Sequence, residues 1–229
     1  MNQGNSGLSG KDILLFLAAL TLTIGTVHAQ QSNNGEDIQL KVIQLSPDAG
    51  PTDIFIDGEK VGDSLEFGDL VGVEIESGTH QVSAESDDID VSRTVDLQQD
   101  RSYTLAIHNR AVSPDTTLLS QEGTTSEGQT RVRFAHFSPD LLSVNIDMQN
   151  GNQVTARDLS YLETGNYVTV SPGNYTVEVT EPRIGGTSFS RQVRLRSDTT
   201  YTAFVGGLKS GSADQGLRVI PVSSRLEPQ

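Results

Sequence analysis

The chain has no cysteine and no tryptophan, and its aromatic residues are few, with 7 phenylalanines and 5 tyrosines in 229 residues. Without cysteine there is no disulfide, no thiolate nucleophile, no thiolate metal ligand and no cysteine-linked lipid, so an exported fold must be held by its core alone. Without tryptophan, the flat stacking platform that sugar-binding sandwiches commonly offer is poorly supplied. Positive charge is also scarce. Only 16 Lys and Arg stand against 30 Asp and Glu, a formal net charge of −14. Nucleic acid is excluded as an expected partner, because phosphate binding requires a basic surface.

Long apolar runs are lacking too, apart from one near the start. Lys11 precedes a run from Ile13 to Val27, which ends at Val27-His28-Ala29 before Gln30-Gln31. This is the pattern of a signal peptide cut after Ala29. As a membrane anchor the run is short, and Thr21, Thr23, Gly25 and Thr26 interrupt it. We expect residues 1–29 to be a signal peptide and 30–37 a disordered N-terminus. The mature protein is then expected to be periplasmic or extracellular, with no membrane span.

The negative charge is unevenly shared. Ile38 to Thr125 holds 17 acidic and 5 basic residues, a net of −12, whereas Ser126 to Gln229 holds 10 of each. A solvated acidic surface explains this most simply.

What the chain has in quantity is short, alternating segments separated by turn residues, with 22 glycines and 8 prolines. Leu40 and Val42, Ile54 and Ile56, Val73 and Ile75, Val82 and Ala84, Val95 and Leu97, and Tyr103, Leu105 and Ile107 alternate with polar residues. Period two with such punctuation predicts an antiparallel β-sandwich. Asp57-Gly58 and Asn150-Gly151 have the composition of hairpin turns that need positive φ.

The pattern occurs twice. Leu45-Ser46-Pro47-Asp48 returns as Phe137-Ser138-Pro139-Asp140, and Ile54-Phe55-Ile56-Asp57 as Val144-Asn145-Ile146-Asp147. Gly78 to Val82 returns as Gly173 to Val177, Ser92 to Leu97 as Ser190 to Leu195, and Asp100 to Thr104 as Asp198 to Thr202. Order is kept throughout. The expected organisation is a first repeat at 38–120, a Gly/Ser/Thr-rich linker at 121–129 and a second repeat at 130–229.

The run from Ser46 to Gly58 resembles the domain of unknown function 4397 family, with its His-x-Ser-Pro-Asp-Ala-Pro turn, alternating strand and Asp-Gly. The second repeat keeps His136-Phe137-Ser138-Pro139-Asp140 but lacks the second proline, and the first has Gln44 in place of the histidine. The resemblance implies exported proteins with an Ig-like or transthyretin-like sandwich and carries no established reaction. All-β architecture with two tandem antiparallel sandwich domains is therefore the expected fold.

No catalytic set emerges from the motifs. Hydrolase chemistry needs a nucleophile, a base and an orienting acid, yet Gly-x-Ser-x-Gly is absent and His80, His108 and His136 are scattered. His136, like Gln44, is expected to close one end of a core and to bond to its Ser-Pro-Asp turn. Ser46, Pro47, Asp48, Ser138, Pro139 and Asp140 are read as that structural turn. For a metal, Asp87, Asp88 and Asp90 are the calcium candidates, as a carboxylate-rich hairpin tip without EF-hand spacing. Tyr103 and Tyr201 are expected in the core, while Tyr161 and Tyr167 have no first-repeat aromatic partner in strict register and are candidates for exposure. Arg131, Arg133, Arg194 and Arg196 alternate with core positions and are expected to face solvent. No cofactor is expected. The functional expectation is a non-enzymatic, exported binding or structural module whose partner is a protein or surface polymer. The alternatives are a calcium-stabilised adhesion or carbohydrate-contacting module, and an enzyme with an unrecognised site.

Overall fold

The computed structural model describes residues 38–121, 125–150, 152–182 and 189–225, so the expected signal peptide and N-terminal segment lie outside the described residues, as does Gly151 of the Asn150-Gly151 turn. The first repeat contains β1 (Ile38–Gln44), β2 (Thr52–Ile56), β3 (Glu59–Leu65), β4 (Leu70–Ile75), β5 (Gly78–Glu85), β6 (Asp90–Leu97), β7 (Ser102–His108) and β8 (Asp115–Gln121). The second contains β9 (Thr130–His136), β10 (Ser143–Asn150), β11 (Asn152–Ser160), β12 (Val168–Val170), β13 (Gly173–Thr180), β14 (Phe189–Leu195), β15 (Thr199–Gly206) and β16 (Arg218–Ser223). Gln121, at the start of the expected linker, is the last residue of β8. No described helix is long and apolar enough to cross a membrane.

Each repeat is a sandwich of two four-stranded sheets. In the first, β4-β1-β7-β8 faces β3-β2-β5-β6, and in the second, β12-β9-β15-β16 faces β11-β10-β13-β14. Strand order is identical in the two repeats. In both, one pair is parallel, β1 with β7 and β9 with β15, and the other pairs are antiparallel.

Turn chemistry explains why the pattern breaks where it does. Asp57 and Gly58 both have positive φ, 51° and 84°, which gives a two-residue turn the twist of its flanking strands. Positive φ also recurs at matched positions, such as Ser64 with Asp158 and Asp100 with Asp198. At the first pair the side chain of β2 or β10 caps the bulge: Asp53 Oδ1 accepts from the Ser64 N–H at 3.0 Å, and Asn145 Oδ1 from the Asp158 N–H at 2.9 Å.

The alternating residues fill two cores. Leu40, Val42, Ile54, Val82, Leu97 and Leu105 belong to the first, and Val132, Phe134, Ile146, Val177, Leu195 and Val205 to the second. Tyr103 and Tyr201 are buried at equivalent places. Each phenolic oxygen accepts a backbone N–H five residues upstream, from Gln98 at 3.0 Å and from Arg196 at 3.2 Å. A third cluster spans both repeats: Ile43, Leu45, Phe67 and Ala106 meet Ala135, Phe137, Phe204 and Val222. Ile43, Ala106, Ala135, Phe204 and Val222 lie on the faces of β1, β7, β9, β15 and β16 that point away from their own cores, while Leu45 and Phe137 directly follow β1 and β9 and Phe67 lies in the loop between β3 and β4. The two sandwiches are thus packed back to back. Each large apolar side chain so buried contributes about 1.5–3 kcal/mol.

Candidate functional site

Three places hold the chemistry-bearing side chains: the paired Ser-Pro-Asp turns, the junction between repeats, and the acidic margins of the first repeat.

At the turns, the imidazole of His136 and the amide of Gln44 do the same work. His136 Nδ1 accepts from the Ser138 N–H at 3.3 Å while Nε2 donates to Leu141 O at 3.1 Å. Gln44 Oε1 accepts from the Ser46 N–H at 2.8 Å while Nε2 donates to Thr52 Oγ1 at 2.8 Å. One acceptor and one donor at this spacing satisfy the turn, so either residue type serves. His136 is fully buried, and that burial pushes its pKa below the usual imidazole value. It is held as a neutral ring with both nitrogens engaged.

The aspartate of each turn ties a distant loop. Asp48 Oδ1 accepts from the Ala111 N–H at 2.9 Å, and Asp140 accepts from the Lys209 N–H at 3.1 and 3.0 Å. Both loops follow the strand that is parallel to the turn's own strand. Ser138 Oγ donates to Asp140 Oδ1 at 3.0 Å, fixing the carboxylate.

At the junction, contacts are exchanged between equivalent residues, as in an isologous dimer interface. Lys41 Nζ, buried on β1, donates to Ser223 O at 2.6 Å and also to Arg225 O. Its second-repeat counterpart, Arg133 on β9, donates through Nη2 to Ser120 O at 2.7 Å and through Nε to Thr202 Oγ1 at 3.0 Å. Ser120 pairs with Tyr103 and Ser223 with Tyr201, so the two carbonyls occupy matching positions. The expectation that Arg133 faces solvent is thereby corrected: a strand face that would be outer in a lone sandwich is buried once two sandwiches pack together. Tyr167 carries the guanidinium groups of Arg131 and Arg133 over its ring at 4.6 and 4.5 Å.

Tyr161 does have an aromatic counterpart, Phe67. Gly68 N donates to Gln44 O at 2.7 Å and Leu162 N to His136 O at 2.7 Å, which places the two loops in register. Single-residue length changes concealed this match in the sequence. Phe67 packs by Gly206 and under Arg218, and Tyr161 packs edge-on to His108 and His136 at 6.5 and 6.0 Å. His108 Nε2 meets Thr117 Oγ1 at 2.8 Å, whereas its Nδ1 and the Tyr161 hydroxyl are buried without a hydrogen-bond partner. Burial pushes the His108 pKa down to about 4, Arg93 adding to the effect and Asp115 opposing it.

The acidic tip is shaped by its own backbone. Ile89 is buried, Ser86 Oγ accepts from the Asp88 and Ile89 N–H groups, and Asp88 Oδ2 accepts from the Gly50 N–H at 3.2 Å. Asp87, Asp88 and Asp90 therefore stand on a tip that Asp88 ties to the first Ser-Pro-Asp loop. Among the described residues no three His, Asp or Glu side chains gather as a metal-ligand set. His80, at the other end of this sandwich, sits between Asp57 Oδ2 at 2.7 Å and Glu76 O at 3.0 Å.

Two clefts open beside these features. One of about 270 Å³ lies between the repeats, lined by Pro47, Pro51, Glu66 and Phe67 on one side and Asp214 and Arg218 on the other. The second, of about 390 Å³, lies within the first repeat between β3 and β4.

The model of the domain of unknown function (DUF4397) matches residues 38–147 and again 142–228, which covers both sandwiches. The chain belongs to this DUF4397 family. A search of curated sequences gives no match. Among solved structures, this DUF4397 chain is similar at 10% identity to the Bacillus anthracis TIE protein, with 76% of this chain and 34% of that one covered and a TM-score of 0.26. The chain thus spans about a third of that protein's length. A Bacteroides uniformis protein, provisionally described as a cell adhesion protein, matches at 9% identity over 82% of this chain and 98% of its own, with a TM-score of 0.30. A family CBM26 module from Eubacterium rectale, solved with maltoheptaose, matches at 10% identity over 83% and 98%, with a TM-score of 0.25.

Proposed function

We propose that this DUF4397 chain is an exported, non-catalytic binding or structural module of the cell envelope or extracellular space, acting as one rigid two-sandwich body. The observation that carries the reading is the reciprocal junction. Lys41 and Arg133 reach to matching serine carbonyls, and an apolar cluster is buried between them. Packing of this kind fixes the relative orientation of the outward sheets and their edges, which a binding or spacer body needs and a flexible string of domains lacks.

The polar side chains support the same reading. His136, Asp48 and Asp140 are each committed to holding a turn or a loop. His80 is committed to Asp57 and to a backbone carbonyl. Such groups position backbone rather than a reacting atom.

The test is saturable binding of labelled protein, beginning at Gln30, to the envelope fraction of the producing cells. Saturation without turnover is the expected result. Recovery of the chain from the cytoplasm with Met1 intact overturns export, and the absence of saturable binding overturns the binding role.

A further inference from the structure

We propose that the outer edge of β4 is a strand-addition site for an extended partner segment that alternates aliphatic and basic side chains. The proposal rests on the reading of the chain as a binding module, and it names where binding takes place.

The argument begins with the edge itself. β4 pairs with β1 on one side and ends its sheet on the other. Exposed edges are ordinarily protected by shortness, Pro, Lys or a bulge, because their backbone groups otherwise recruit another strand. The equivalent edge in the second repeat, β12, is protected in this way, being only 3 residues long. β4 has 6 residues, Leu70-Val71-Gly72-Val73-Glu74-Ile75, with no Pro and no Lys. Across the sandwich β3 is bulged, with Ser64 at φ 53° and register shifts against β2. Of these edges, β4 is the one left long, regular and aliphatic.

Beside it lies the groove of about 390 Å³. Gly62 explains its shape. A Cβ there would stand 2.9 Å from Leu65 and 3.1 Å from Val71, so Gly62 lets β3 touch β4 at that end of the sandwich. Away from that contact the strands leave a trough lined by Ile56, Val61, Val73 and Ile75, with Glu59 and Glu74 among the lining residues. Val71, Val73 and Ile75 share the core face with Ile38, Leu40 and Val42, yet each is only partly buried. A strand added beside β4 would lay every second side chain over this aliphatic floor.

Charge selects the partner. Glu59, Glu74 and Asp57 line the groove, and no Lys or Arg is among its lining residues. The repeat as a whole carries a net of −12. Glu74 lies on the opposite face of β4 from Val73, so a basic residue on the added strand would pair with it while its aliphatic neighbours entered the groove. The chain's own segment before β1 contains Glu36 and Asp37, and a second copy would bring another acidic first repeat. Both are disfavoured by like charge.

The test uses the protein from Gln30 to Gln229 and the peptide acetyl-Lys-Val-Lys-Val-Lys-Val-Lys-amide. Expected results are amide shifts concentrated at Leu70 to Ile75 and methyl shifts at Ile56, Val61 and Val73. The Glu59→Lys/Glu74→Lys variant, altered only at exposed positions, should fold normally and bind at least tenfold more weakly. A peptide with Glu in place of Lys should not bind. Shifts elsewhere, no shifts, or unchanged affinity in the variant overturn the site. So does a dimer whose β4 amides are already protected in the free protein, since a second copy then holds the edge. Envelope binding that persists in the variant overturns this site alone, whereas its loss in the unaltered protein overturns the module reading.

Discussion

Lys41 and Arg133 occupy the same position in successive repeats, and each crosses the junction to the main-chain carbonyl of a matching serine. The bonds differ in chemistry and agree in place. Lys41 is 4% exposed, and its acceptors include two carbonyls and a hydroxyl, so its charge is solvated by the protein in place of water. Removing Lys41 takes this donor from the buried Ser223 carbonyl, and removing Arg133 takes one from the part-buried Ser120 carbonyl. Lys41→Ala and Arg133→Ala should each cost about 1–3 kcal/mol in denaturant unfolding. A loss within about 0.5 kcal/mol, the range of ordinary surface substitutions, would mean that the apolar cluster alone holds the junction.

The junction should survive the loss of covalent continuity. With a protease site introduced between residues 122 and 125, the severed halves should co-elute as one species in size-exclusion chromatography. Phe137 is fully buried in the spanning cluster, so Phe137→Asp should release them by placing an unpaired carboxylate there. Separation of the unaltered halves on cleavage would show that the sandwiches fold and stand independently.

Acid should weaken the fold through His108. Its folded pKa, about 4, lies below the ordinary value of 6.5, so the unfolded chain binds the proton more readily. Stability is therefore complete above pH 6.5 and falls as the pH drops toward 4, by on the order of 3 kcal/mol over the whole window. His136 acts in the same direction. His108→Gln should flatten the slope of stability against pH between about 6.5 and 4. An unchanged slope would place the acid response elsewhere.

The corner tyrosines separate packing from hydrogen bonding. Tyr201 is 5% exposed and accepts the Arg196 N–H. Tyr201→Ala should cost about 3–5 kcal/mol, as for other large core aromatics. Tyr201→Phe keeps the ring and loses the acceptor, and should cost about 1 kcal/mol. Equal losses would mean that the hydroxyl carries the whole effect.

Much of this architecture was legible from local rules. The period-two alternation, the Asp57-Gly58 turn and the repeated Ser-Pro-Asp segments each constrain only a few neighbouring residues, and each formed as its local chemistry dictates. The placement of Gln44 and His136 at the core's end followed from strand parity alone. The match of Phe67 to Tyr161 was hidden, because a change in loop length shifts the sequence register while leaving hydrogen-bonded register intact.

The sequence by itself determined the strands, the turns, the two-fold repetition and the exclusion of thiol chemistry, since those depend on residue type and spacing. Only the tertiary structure decided which strand faces are truly outer. Arg133, Ala106 and Phe204 alternate with core residues just as solvent-facing positions do, and burial of that second face comes from docking one sandwich on the other. The same holds for β4, whose open edge and groove arise from how far β3 stands from it, a distance set by the close approach at Gly62. Alternation encodes two faces for every strand, and what covers each face is a property of the assembled fold.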